Sequence, residues 1–342
     1  MPFWLDIAAF LIKALIIVAA VGGLAILVAR LARSGDRDKD REIRIKSIND
    51  RYDDMRDALN AELLGKKERK ALVKARRKEA KARRAEPAGK RIFVLGFKGD
   101  LRATAVKNLG REIDAVLTVA RPEADEVVVR IDSGGGTVTG YGLAAAEILR
   151  LRERRIPVTA SVDQVAASGG YMMACAADRI VAAPFAVVGS IGVVASVPNL
   201  HKLLKKNEIE YEDITAGEFK RTVTVLGEIT PAGREHFQGK LEAIHDAFKA
   251  HVAERRPKAD IARVANGDYW LAGDAFALGL VDEIVAGDEL LFRARDGARL
   301  YEVRWEARKT PLQQLVSGLG VAARKAADFA IARASGGAGW RA

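Results

Sequence analysis

The 342-residue sequence predicts a layered α/β domain carried on an N-terminal membrane anchor. Three observations predict it. Short runs rich in β-branched residues alternate with helical stretches from residue 91 to residue 285, the pattern of strands buried between helices. Residues 7–29 are apolar except for Lys13. Between these regions lies a charged segment with no broad apolar face, a composition that builds no core of its own.

The anchor comes first, over residues 1–30. "IAAFLIKALIIVAAVGGLAILVA", residues 7–29, is long enough to span a lipid bilayer, and Lys13 lies close enough to one end to snorkel. A cleaved signal peptide carries its positive charges before the apolar run, whereas Arg30, Arg33 and Arg37 come after this one. The expectation is a retained single-pass helix. Lys39, Arg41, Arg44 and Lys46 extend the basic flank, and no basic residue precedes residue 7. The positive-inside rule therefore favours the cytoplasmic face for the chain beyond the anchor.

Residues 31–89 read as a charged helical stalk. Ile45, Ile48, Tyr52, Met55 and Leu59 are spaced 3, 4, 3, 4, the seam of a short coiled coil or of a helix lying on a partner. Gly65 ends that pattern. Residues 66–86 read as a solvated helix or as chain without fixed structure, and Pro87 and Gly89 mark a boundary.

The globular domain is drawn over residues 90–290. "RIFVLGF", "EVVVRID", "PVTASV" and "RIVAAP" are the predicted strands. Helices are predicted near 104–120, 139–155, 198–206 and 231–256, with a shorter one after Ser168, and the domain closes near "GLVDEIV", residues 279–285. Residues 291–342 form a C-terminal extension in which Leu312, Leu315, Val316 and Leu319 share a helical face, with Arg324, Lys325 and Arg333 beyond. Such a basic amphipathic helix suits a membrane surface, a neighbouring subunit or its own domain.

Composition excludes several function classes. The net charge is +11, and from Asp36 to Glu86 there are 18 Lys/Arg against 12 Asp/Glu. That basic run contains Tyr52 as its one aromatic residue, so it offers no base-stacking platform, and nucleic acid is not expected as a partner. A phosphate-rich membrane surface fits better. Cys175 is the sole cysteine, which rules out an intramolecular disulfide or a cysteine-based metal site.

One stretch poses a chemical question. In "QVAASGGYMMACAADRI", residues 164–180, Ser168 is pressed between alanines and glycines just ahead of a helical run. A serine before a helix is ordinarily an N-cap. It is also well placed for chemistry, beside free backbone N–H groups and the positive end of the helix dipole. "RIDSGGGTVTGYG" ends a strand in three glycines, Gly134, Gly135 and Gly136, a turn able to aim N–H groups at one spot. It lacks the spacings of nucleotide-binding loops. "VGSIGVV" sets Ser190 between glycines, and "ITAGEFKRTVT" carries Lys220.

A nucleophilic serine needs a base. His201, His236, His245 and His251 fall in predicted polar helices, and the last three are expected to face solvent. A lysine serves if burial exposes its neutral form, because its ordinary pKa of about 10.4 falls by up to several units on desolvation. Lys220 is the lysine best placed for that, the others lying mostly in plainly solvated runs.

"AASGGYMMACAADRIVAAP", "GSIGVV", "TAGEFKR" and the upstream "DSGGG" together resemble the signal peptide peptidase family of serine–lysine proteases, nearest its membrane-anchored bacterial SohB type. The likeness covers about residues 90–290. It departs at Gly134, where the family usually has proline. The resemblance implies a Clp protease/crotonase-like spiral of ββα units. It implies Ser168 as nucleophile, Lys220 as general base and Ser190 as the hydroxyl that orients the lysine. The oxyanion hole would be the N–H of Gly169 with that of Gly135 or Gly136. No metal or other cofactor is implied. Substrates would be apolar or signal-peptide-like segments, and the location a bacterial inner (plasma) membrane. Single-domain members assemble rings with shared sites, so a homo-oligomer is expected, with Ser168 and Lys220 too far apart to bond within one subunit. Two rivals remain: an acyl-CoA hydratase/isomerase-like enzyme on the same superfold, and an inactive membrane scaffold.

Overall fold

A computed structural model describes residues 41–65, 67–68, 71–75 and 89–307. The expected anchor at 7–29 and the tail from Pro311 lie outside these residues. Among the described residues no helix is long and apolar enough to cross a membrane. Ile43–Trp305 form one compact unit. It holds the sheet core and the candidate site residues.

In chain order the described elements are β1 (Arg41–Ser47), α1 (Ile48–Leu63), β2 (Lys90–Lys98), α2 (Val106–Leu117), β3 (Asp125–Ser133), α3 (Val138–Glu153), β4 (Val158–Ala167) and α4 (Gly169–Cys175). Next come β5 (Arg179–Ala182), β6 (Val187–Gly189), α5 (His201–Lys206), α6 (Pro231–Arg255), α7 (Ile261–Val264), β7 (Tyr269–Leu271), α8 (Ala272–Ala277), β8 (Glu283–Ile284), α9 (Gly287–Ala294) and β9 (Ala298–Ala307). The sheet runs β1-β9-β2-β3-β4-β5-β8, with β6 paired to β4 and β7 paired to β6. The pairings from β9 through β8 are parallel, and β6 with β7 is antiparallel.

The β-branched runs become central strands because both of their faces are covered. On one face Phe93, Leu95 and Phe97 of β2 and Val127, Val129 and Ile131 of β3 pack with Leu109, Ile113, Tyr141 and Ile148 from the helices. On the other, Ile92, Val94 and Val128 meet Ile48, Leu291 and Leu300. Where β2 and β3 begin, Asp125 is fully buried between Arg91 and Arg121. Burial opposes its charge, but hydrogen bonds from both guanidiniums and from the Arg121 N–H hold its carboxyl well below the ordinary carboxylate range.

This second face corrects the boundaries expected from sequence. Residues 43–63, read as stalk, belong to the compact unit, and β9 extends it past residue 290 to Trp305. Ile48 is 3% exposed against the sheet. Asn49 donates through Nδ2 to the Arg295 and Ala298 carbonyls and accepts from the Leu300 N–H. The expected seam is split: Ile45 lies in a strand, Ile48 docks, and Met55 and Leu59 are exposed. Of residues 66–86, the described positions 67–68 and 71–75 are helical.

β4 positions the site. Its first half, Thr159–Val162, pairs with β5, while Val165–Ala167 pairs with β6. The β3–β4 register shifts between Ile131 and Ser133, and such an irregularity re-aims a strand end. The carboxyl ends of β3 and β4 thus deliver "SGGG" and Ser168 side by side. In parallel sheets that end is where ligands are bound.

Candidate active site

Ser168 is the first residue past β4, at φ 52° and ψ −120°. An N-cap serine has extended dihedrals and bonds the N–H groups just after it. Ser168 does neither, for its side chain makes no cap bond. The backbone secures the turn instead: the Ser168 N–H donates to the Gly189 carbonyl at 2.8 Å, and its own carbonyl accepts from Met172 at 2.9 Å. A positive φ is strained for a residue with a Cβ, costing about 1–3 kcal/mol. The ordinary reading of this serine therefore fails.

Small residues around it are required by contact. A Cβ on Gly135, itself at φ 92°, would fall 2.7 Å from the Ser168 Cβ, and one on Gly169 would fall 2.4 Å from Cγ of Tyr141. Gly136 is equally tight, with the Leu101 carbonyl oxygen 2.2 Å from such an atom. Gly134 is different: nothing lies within 4 Å of its notional Cβ, so the turn does not depend on glycine there.

Ser168, Ser190 and Gly134–Gly136 line one cleft of about 570 Å³, together with Gly169. Its walls are largely apolar, from Val138, Met172, Val194, Ile244 and Phe248. Ser190 is a second serine at φ 52°, its N–H bonded to the Asp268 carbonyl at 2.6 Å. The Gly135 N–H is engaged by the Ser133 hydroxyl at 3.1 Å. Of the two candidates in the glycine turn, Gly135 thus has its N–H already engaged, and Gly136 lines the cleft with Gly169.

Lys220 is not brought to this group. It lies in an irregular, exposed segment, its N–H turned back to the Gly217 carbonyl, and it does not line the cleft. No hydrogen bond joins it to Ser168 among the described residues.

The histidines need correction. His245 lines the cleft, and its Nε2 lies 3.1 Å from the Ile191 carbonyl, next to Ser190. His251 sets its Nε2 2.9 Å from the Met172 carbonyl. Burial pushes His251 below the ordinary imidazole range, so at neutral pH the uncharged ring donates through Nε2–H. Both pin α6 over the site and neither faces open solvent. Their spacing with Phe248 and Val252 (245, 248, 252) is the signal in the sequence, since it marks one helical face. Ser133 and Tyr141 are site residues that sequence reasoning misses. They meet at 2.5 Å beneath the glycine turn, and Tyr141 Oη donates to the Asp100 carbonyl at 2.9 Å.

Family models match nearly the whole described unit: Peptidase family S49 N-terminal over residues 2–148, and Peptidase family S49 over residues 150–301. "Probable protease SohB" of Haemophilus influenzae is 42% identical over 313 residues, covering 88% of this chain and 87% of the relative. The chain belongs to peptidase family S49. Its activity is that of a serine protease. "Serine protease SPPA, chloroplastic" of Arabidopsis thaliana is a more distant relative, 33% identical over 202 residues, covering 56% of this chain and 30% of that protein. Among solved structures the chain is similar to the membrane-bound stomatin-specific protease 1510-N, with 16% identity, a TM-score of 0.39 and coverage of 61% and 86%, a likeness too slight to add to the assignment. The S49 matches span both the glycine turn and the Ser168 segment, as the sequence resemblance anticipated.

Proposed function

We propose that the chain is a membrane-anchored serine endopeptidase in which Ser168 attacks the scissile carbonyl and Lys220 is the base. One observation carries the reading. Ser168 is held in a strained conformation, its hydroxyl making no cap bond among the described residues, in a cleft shared with Gly136 and Gly169. The serine–lysine resemblance of "TAGEFKR" supplies the partner. On this reading the framework is a Clp protease/crotonase-like spiral, and residues 7–29 anchor it to the bacterial inner membrane, the basic flank after the anchor favouring the cytoplasmic face for the protease.

The chemistry is acyl transfer. Ser168 Oγ bonds to the peptide carbonyl carbon as its proton passes to the neutral Lys220 amine, and the N–H groups of Gly136 and Gly169 receive the oxyanion. Collapse breaks the C–N bond, and the lysine returns the proton to the leaving amine. Water then cleaves the acyl-enzyme with the same lysine as base. Ser190 directs the amine. The apolar cleft walls suit apolar, signal-peptide-like segments.

Because Lys220 stands outside the cleft of its own chain, the base is assigned in trans, from an adjacent copy in a homo-oligomer. Val194, at 87% exposure, Ile214, at 90%, and Phe219 leave apolar surface on the same segment, as a subunit contact requires. Desolvation within that contact favours a neutral amine. The test mixes Ser168→Ala and Lys220→Ala chains, each inactive alone. Shared sites return part of the activity, whereas no rescue in mixtures shown to co-assemble refutes the arrangement. Fluorophosphonate labelling of Ser168 in the assembled wild type tests the nucleophile separately. Protease protection in inverted membrane vesicles tests the side of the membrane.

A further inference from the structure

Beneath the cleft floor two buried hydroxyls form a relay with a single sense. Tyr141 Oη lies 2.9 Å from the Asp100 carbonyl and 2.5 Å from Ser133 Oγ. A carbonyl only accepts, so the one phenolic proton points to Asp100 and Ser133 must donate to Tyr141. Ser133 Oγ in turn accepts from the Gly135 N–H. The donors therefore run Gly135 to Ser133 to Tyr141 to Asp100.

The surroundings leave room for this pair and little else. Tyr141 and Ser133 are buried. A Cβ on Gly99 would come within 2.1 Å of Ser133 Oγ and 2.3 Å of Tyr141 Oη. Burial also raises the Tyr141 pKa above the ordinary phenol range, so the donor is present throughout the neutral range.

The relay answers a mechanical problem. Three successive glycines, with Gly135 at φ 92°, have more conformational freedom than any other tripeptide. Anchoring the Gly135 N–H fixes the peptide unit immediately before the one that carries the Gly136 N–H, the two being joined at the Gly135 Cα. The same Tyr141 packs its ring on Gly169. One side chain thus reaches Gly135, the residue before one proposed oxyanion donor, through Ser133, and Gly169, the other, directly.

We propose that Ser133 and Tyr141 are positioning residues of the oxyanion hole, their relay setting the direction of the Gly136 N–H toward that of Gly169. This rests on Ser168 being the nucleophile. Both hydroxyls are buried and bonded within the protein, so both act through the backbone.

The test uses the full chain in detergent with a fluorogenic apolar peptide and a matching peptide aldehyde. The aldehyde forms a hemiacetal: Ser168 Oγ bonds to its carbonyl carbon, and the carbonyl oxygen takes up the charge or proton in the hole. Tyr141→Phe and Ser133→Ala are each expected to lower kcat about 10- to 100-fold, somewhat less than deleting a donor outright. KM should stay within about twofold, and aldehyde affinity should fall in step with kcat. The double variant should be no slower than the slower single one, because both break one chain of bonds. General loosening of the fold would instead raise KM and add in the double variant. Tyr141→Phe keeps the ring on Gly169, so it carries the test alone if Ser133→Ala does not fold. Hydrolysis lost in Ser168→Ala but kept within twofold in Tyr141→Phe overturns the positioning role alone. Hydrolysis that survives Ser168→Ala overturns the nucleophile and this role with it.

Discussion

Replacing Asn49 by alanine tests whether the start of the charged segment is structural. Asn49 makes three hydrogen bonds to the α9–β9 region: to the Arg295 carbonyl at 3.0 Å, to the Ala298 carbonyl at 3.2 Å, and from the Leu300 N–H at 2.7 Å. Each is worth about 0.5–1.5 kcal/mol net, so their joint loss should lower the unfolding free energy by about 2–4 kcal/mol. The Leu300 amide sits under a fully buried side chain, where an unpaired donor is least tolerated. Urea denaturation gives the global cost, and hydrogen exchange at Leu300 gives the local one, expected to quicken by about 30-fold or more, since each 1.4 kcal/mol is a factor of ten. Asn49→Asp should be at least as damaging, because it keeps the acceptor for Leu300 but sets a second oxygen against two carbonyls. An Asn49→Ala chain within about 0.5 kcal/mol of wild type, with Leu300 exchange unchanged, would refute the assignment of this segment to the fold.

Other perturbations give equally definite outcomes. Asp125→Asn should cost about 3–5 kcal/mol at pH 7, since it breaks a buried charge cluster. Because the folded Asp125 pKa is depressed, that advantage of the wild type is complete above the unfolded carboxylate pKa near about 4 and shrinks as pH falls toward the folded value; urea midpoints between pH 7 and 2.5 check this. Burial pushes the Cys175 thiol up to about 12, so a thiol-reactive dye should label it at pH 8 only after denaturant is added. Gly134→Ala should retain peptide hydrolysis within about twofold of wild type, while Gly169→Ala, whose methyl would meet the Tyr141 ring, should lose at least about tenfold; matched kcat measurements separate the two.

The central strands are legible because β2 and β3 carry apolar runs rich in β-branched residues, over residues 92–95 and 127–129, which a doubly covered sheet accommodates. β1 and β9 are not. In "REIRIKS" the charges at Arg41, Glu42, Arg44 and Lys46 hide the alternation of Ile43 and Ile45. The three-residue step from Ile45 to Ile48 also crosses from strand to helix, yet reads as one helical seam. At the site, the small residues around Ser168 and the three-glycine turn announce close backbone approach, and the contacts at Gly135 and Gly169 are its cause. What sequence cannot supply is the division of labour within the turn. Which of Gly135 and Gly136 is free depends on Ser133, whose hydroxyl direction depends on Tyr141, eight residues on and in another element. Lys220 shows a different limit: the motif that carries it is legible, but within one chain its segment stands outside the Ser168 cleft.

The positive φ at Ser168 sets the fold and the chemistry against each other at one position. Glycine would relieve about 1–3 kcal/mol of backbone strain there, and Ser168→Gly should therefore yield a more stable molecule with no hydroxyl to attack a peptide. On the proposed reading Ser168 is kept at φ 52° for its oxygen, at a cost to the fold that glycine would not carry.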